Sequence, residues 1–128
     1  MPYLYPQARE RARRTIGVAD VFAEHADEIE TAVADVPDGH VLVAVVDAEH
    51  RFTGTHHVST GDLVNRVAEL EGPGGWAMVF SPGADAESVR RRTGEMASIA
   101  GQRVAAIDRI TARRESRDRH QPRSAEPN

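Results

Sequence analysis

The stretch Val41-Leu42-Val43-Ala44-Val45-Val46-Asp47 decides the fold of this chain. It is the longest β-branched apolar run in the sequence, and it ends on a carboxylate. An apolar run without polar alternation fits a strand buried on both faces, with helices covering it. Pro37-Asp38-Gly39 turns the chain into the run, and Asp47-Ala48-Glu49-His50 has the composition of a hairpin loop. Arg51–Ser59 is therefore expected to return as a second strand. Strict alternation puts Phe52 and Val58 on one face of it and Arg51 and His57 on the other.

Upstream of the run, Tyr3 and Tyr5 sit in a short lead between Pro2 and Pro6. Gln7–Arg14 is basic and helix-compatible, and Gly17 reads as an interruption. Val18, Val21, Phe22, Ile29, Val33 and Val36 then recur at helical spacing. Glu24, Asp27, Glu28 and Glu30 lie mostly off that stripe, which predicts an amphipathic helix with an acidic outer face.

Downstream, Thr60 can cap a helix carrying Leu63, Val64, Val67 and Leu70, which Gly72-Pro73-Gly74-Gly75 ends. Trp76–Phe80 is a short apolar third strand, broken by Ser81-Pro82-Gly83. Asp85 or Ser88 can cap a helix running to about Ala100, with Gly101 as its stop. Arg103–Thr111 reads as a fourth strand, and the polar, aperiodic chain from Arg113 reads as disordered. The expected architecture is α/β in the order ααββαβαβ, with a small mixed sheet of about four strands and covering helices. It divides into an N-terminal helical segment (1–38), an α/β core (39–112) and a disordered tail (113–128).

Composition narrows the chemistry. The 128 residues are one domain by length, 40% hydrophobic and 28% charged, with a net charge of -4. A negative total argues against a surface that is wholly a nucleic-acid footprint. All 16 basic residues are Arg, so Schiff-base and P-loop lysine chemistry is absent. Without Cys there is no disulfide, thiolate nucleophile or Cys-bound zinc. No apolar run reaches membrane-span length and the N-terminus lacks a signal-peptide core, so a soluble cytoplasmic protein with no membrane contact is expected.

The candidate groups for chemistry are scattered. His56 and His57 are adjacent in a strand and point to opposite faces, so they cannot readily chelate one metal together. A zinc site from Asp47, His57 and Asp62 would need distant residues to converge. Asp47 at a strand end is most simply a turn-former, whereas Asp108 inside an apolar stretch needs an Arg or backbone partner if it faces inward. The Ser81–Asp85 loop precedes a helix N-terminus where an anion could sit; Asp85 opposes one and Arg90–Arg92 would favour one. Neither Ser81 nor Ser88 lies in a nucleophile-elbow pattern.

Four segments, taken in order, resemble the RadC branch of the JAB (JAMM) metalloprotease-like domains. Gly39–Phe52 (GHVLVAVVDAEHRF) is similar to that family's first hairpin, and Thr55–Leu63 (THHVSTGDL) to its second strand with a Val-Ser-x-Gly-x-Leu ending. Met78–Gly83 (MVFSPG) falls where the family has a His-x-His-Pro-Ser-Gly loop. Thr93–Ile110 resembles the closing helix and strand, with Ile107-Asp108-Arg109-Ile110 at the family's Leu-Asp-His-Ile. The family binds zinc through two histidines and an aspartate, and a glutamate activates the water. The resemblance puts Gly39 at the glutamate position, Val79 and Ser81 at the histidine positions, and Asp85 near the aspartate. It therefore implies a degenerate member with a vestigial pocket of Gly39, Val79, Ser81 and Asp85, no metal or other cofactor, and no zinc peptidase activity.

Three functional expectations follow. The first is a non-catalytic domain acting through a protein partner or self-association. The second is a nucleic-acid accessory role using Arg9, Arg11, Arg13 and Arg14, together with Arg90, Arg91, Arg92, Arg113 and Arg114, continued by Arg117 and Arg119. The third is a hydrolase with a site rebuilt from Asp47, His56 or His57, and Asp108.

Overall fold

The central run is the middle strand of the sheet. A computed structural model describes residues 5–120, with side chains through Arg117. Helices α1 (Tyr5–Glu24) and α2 (Ala26–Ala34) lead into strands β1 (His40–Val46) and β2 (Phe52–Ser59). Helix α3 (Leu63–Glu71), strand β3 (Trp76–Phe80) and the long helix α4 (Ala86–His120) complete the described chain. The sheet has the order β2-β1-β3.

Both neighbours run antiparallel to β1. The mixed sheet expected from the sequence is thus corrected to an antiparallel one. Its parallel relationship survives only between β2 and β3, which flank β1 and are joined through α3.

Each sheet face has its own cover. Leu42, Ala44 and Val46 of β1 point with Met78 and Phe80 toward α1, α2 and α4, where Phe22, Ile29 and Val89 are fully buried. Val43, Val45 and Val58 point the other way, against Leu63, Val67 and Leu70 of α3. This two-sided burial is why β1 shows no polar alternation.

The second strand does not alternate as expected. Val41 pairs with Val58 and Val45 with Gly54, but Val46 pairs with Phe52, so a bulge at Thr53–Gly54 shifts the register by one residue. Phe52 consequently joins the helix-covered core while Val58 lies under α3. Gly54 has φ +130°, a conformation that other residues adopt only with strain.

The N-terminal helices also divide differently. Helix α1 runs unbroken through Gly17, and the break falls at His25, whose backbone N–H donates to the Phe22 carbonyl in a tightened turn. The His25 ring hydrogen-bonds the Val21 carbonyl at 2.9 Å and stacks on Phe52 at 4.1 Å. Gly17 serves a close approach instead: a Cβ there would come within 3.0 Å of the His50 ring.

Arg103–Thr111, expected as a fourth strand, is helical, and the described residues form three strands. Helix α4 passes through Gly101 and runs on to His120, so residues 113–120, expected from the sequence to begin a disordered tail, are helical. Val89, Thr93, Met96, Ala100 and Ile107 fall on one four-three repeat, with the exposed Arg103 at its remaining position, so the stripe does not stop at the glycine. Its partner stripe is Ala8, Ala12, Thr15, Ala19 and Phe22 on α1. The two helices run antiparallel: Arg9 pairs with Asp108 near one end, and Phe22 shares a core with Val89 near the other. Thr93, buried within this seam, spends its hydroxyl on the Val89 and Arg90 carbonyls. Among the described residues no helix is long and apolar enough to cross a membrane. The lead residues Met1–Leu4, including Tyr3, and the tail from 121 onward lie outside the description.

Candidate functional site

The residues singled out in the sequence are placed apart. Asp47 closes the hairpin loop: one of its carboxylate oxygens accepts from the backbone N–H of Glu49 and of Arg51, each at 2.9 Å. His56 pairs with Val43 and His57 with Leu42, so the two rings project from opposite faces, as adjacent strand residues must. Leu42 and Asp47 are five positions apart along β1 and its end, which separates His57 from Asp47 by about 17 Å. Asp108 lies on exposed α4 and is held by Arg9 at 2.6 Å. That hydrogen bond, with the guanidinium charge behind it, keeps the Asp108 carboxyl below its ordinary range. Among the described residues no three His, Asp or Glu side chains gather as a metal site would require.

Gly39, Ser81 and Asp85 come to one end of the sheet, because β1 begins at His40 and β3 ends at Phe80, opposite Leu42. The Val79 side chain packs against the α3-side core. Its carbonyl accepts a hydrogen bond from Arg92, whose guanidinium lies 5.0 Å above the Phe80 ring. Ser81 borders a shallow cleft of about 420 Å³ with Ser88, Arg91 and Glu95.

The helix N-terminus beside that cleft is already occupied by the chain's own groups. Asp85 accepts from the Ser88 N–H at 2.8 Å while the Ser88 hydroxyl accepts from the Asp85 N–H at 2.9 Å, a reciprocal cap. These Ser88 contacts hold the Asp85 carboxyl below its ordinary value. Glu30, reaching across from α2, accepts from the Ala86 N–H at 3.2 Å. The anion position suggested by the Ser81–Asp85 loop is thus filled by two carboxylates.

The arginines divide along α4. Arg90 pairs with Asp27 at 3.1 Å, Arg91 borders the cleft and Arg92 braces β3. Arg113 and Arg114 lie roughly 33 Å further along the same helix, where Arg114 borders a cleft with Tyr5 and Pro6 of α1.

A larger concavity than these clefts lies elsewhere, between α1 and α4. It is a trough of about 630 Å³. Its floor is apolar, built from Ala8, Ala12, Met96, Ala100 and Ile107, and Trp76 of β3 closes one end. Ile99, 54% exposed, stands on one rim. Arg11 and Arg103 stand on opposite helices, and no carboxylate lines the trough. Neither guanidinium enters an ion pair among the described residues. Arg14, one turn from Arg11, donates to the Gly74 carbonyl at 2.9 Å and ties α1 to the loop before β3.

Sequence reasoning missed this site for one reason. Reading Gly101 as a stop cut the α4 stripe in half and turned Ile107 into a strand residue. The four-three spacing from Val89 to Ile107 was the signal that could have found it.

No protein-family model, curated protein or solved structure matches this chain.

Proposed function

We propose that this chain is a non-catalytic α/β domain that works by protein–protein contact, through the arm formed by α1 and α4. One observation carries the reading. Over Tyr5–Thr15 and Ala100–Arg117, the paired helices bury only Ala12 and Ala100, and they leave an apolar trough open beside them. Helices stay amphipathic where something covers the apolar stripe, and here the sheet covers only the other half of the pair. A degenerate RadC-like JAB domain is consistent with such a role. That resemblance rests on the order of the sequence motifs; Gly39, Val79 and Ser81 depart from it, and the closing strand it places at the end of Thr93–Ile110 is helical here.

The other two readings have less support. For nucleic acid, Arg9 and Arg90 are engaged by carboxylates, and the Arg90–Arg92 and Arg113–Arg114 groups sit far apart on one helix. Titration with duplex DNA at low salt, where phosphate contacts are strongest, tests it. For a rebuilt hydrolase, Asp47, the His56–His57 pair and Asp108 lie on separate elements with separate partners.

The test of the main reading is site-specific photo-crosslinking in cells that express the chain. A benzoylphenylalanine at Ile99, on the trough rim, is expected to trap a protein. The same group at Val64 of α3, 83% exposed but isolated, serves as the control. No adduct at Ile99, or equal adducts at both positions, counts against an interaction role for the arm.

A further inference from the structure

We infer that the α1–α4 trough receives an amphipathic helix of a partner protein whose apolar face is flanked by carboxylates. The inference rests on the interaction reading above and adds the partner's chemistry. The shape comes first. Along α4 the lining runs from Met96 to Ile107, and along α1 from Ala8 to Thr15. At the rise of an α-helix these spans are about 16 Å and 10 Å, enough for two to three turns of a third helix. The small side chains Ala8, Ala12 and Ala100 keep the floor low, so a helix can approach at ordinary packing distance with its large residues turned inward. Both walls keep the four-three spacing that an added helix would read with anchors at i, i+3, i+4 and i+7.

Charge selects among the possible occupants. Arg11 and Arg103 flank the apolar floor from opposite helices, where flanking charges in helix bundles set partner choice. The trough supplies no carboxylate to either of them. A second copy docked trough to trough would bring two Arg11 and two Arg103 side chains into one interface, a like-charge arrangement that is unfavourable. The chain's own acidic helix α2 cannot fill the trough, because Ile29 and Val33 are already buried in the core. A helix from another protein with Glu or Asp beside its apolar stripe satisfies both the floor and the rims.

The experiment uses the full chain and two synthetic helical peptides with the same leucine face, one flanked by Glu and one by Lys. Trp76, the one tryptophan, closes the trough and reports occupancy by fluorescence. The Glu peptide is expected to bind about tenfold more tightly than the Lys peptide, with the gap closing at high salt. The double substitution Arg11→Glu with Arg103→Glu should reverse the preference, and both positions are exposed enough for the melting curve to confirm folding. Equal affinity, preference for the Lys peptide, or no saturable binding of either up to about 1 mM overturns the inference. A concentration-dependent dimer abolished by Ile99→Glu also overturns it, in favour of a second copy. The crosslink at Ile99 is scored separately, so a partner trapped there without a preference for acidic peptides removes the charge assignment alone.

Discussion

Phe52 and Val58, six positions apart in the same strand, face opposite sides of the sheet. The bulge at Thr53–Gly54 separates them, and it lets β2 contribute an aromatic ring to the helix-covered core and a valine to the α3 side. The stacked pair His25–Phe52, which sits at the break between α1 and α2, exists only because of that shift.

The bulge depends on Gly54. Its φ of +130° lies in a region that costs other residues about 1–3 kcal/mol. A Cβ there would meet nothing within 4 Å, so the expense is conformational and not steric. Gly54→Ala is expected to lower the unfolding free energy by that amount, measured by urea denaturation with an unchanged m-value. A neutral result would mean that the strand can pair without the bulge.

The central strand gives a harsher test. Val45 is 5% exposed and lies between Gly54 and Ala77 in the sheet. An unpaired carboxylate at that position costs several kcal/mol, a large part of the roughly 5–15 kcal/mol total stability of a domain. Val45→Asp should therefore yield no cooperatively melting protein. Val64→Asp on the exposed face of α3, where the native side chain is 83% exposed, should change the melting temperature little. A well-folded Val45→Asp variant would show that the strand is peripheral.

These outcomes follow the division between what was legible in the sequence and what was not. The run Val41–Val46 announced its place because burial on two faces leaves a pattern that few other environments leave. The hairpin loop was legible through Asp47, and the start of α4 through Asp85 and Ser88, since caps and turns are made by neighbouring residues. The direction of β3 was not, because a helix connection permits either direction and the choice depends on where α3 packs. The bulge was hidden because nothing local distinguishes Thr53-Gly54 from an ordinary strand glycine. The vestigial pocket was defined by motif order alone, which carries no information on side-chain direction; the Val79 side chain packs on the α3-side core. The trough was lost with the second half of α4.

Asp85 ties stability to pH in a known direction. Its carboxyl is held below the ordinary value of 3.8, first by the Ser88 N–H and then by the Ser88 hydroxyl. The folded chain thus keeps the carboxylate at acidities where the unfolded chain has protonated it. The stabilisation is fully present above 3.8 and fades as pH falls through the depressed folded value. Asp85→Ala should lower the melting temperature at pH 7, and the gap to the parent protein should narrow as the pH drops below 3.8. A gap of the same size at pH 7 and pH 3 would mean that the cap contributes through something other than the charged acceptor.

Gly101 separates the two readings of the C-terminal third most sharply. A glycine that ends a helix adopts a left-handed conformation, and replacing it with alanine there is destabilising. In this fold Gly101 is an interior residue of α4 without positive φ, and a Cβ added to it meets nothing within 4 Å. Glycine inside a helix costs roughly 0.5–1 kcal/mol relative to alanine, through the extra freedom it loses on folding. Gly101→Ala is therefore expected to stabilise the protein by about that amount. The gain should appear as a higher denaturation midpoint, with helical circular dichroism equal to or above that of the parent. A loss of stability would place a helix end at Gly101, return Arg103–Thr111 to a separate element, and remove the continuous wall that Met96, Ala100 and Ile107 give to the trough. The same substitution thus tests the fold and the surface on which the proposed function rests, and it does so without touching Arg11, Ile99 or Arg103.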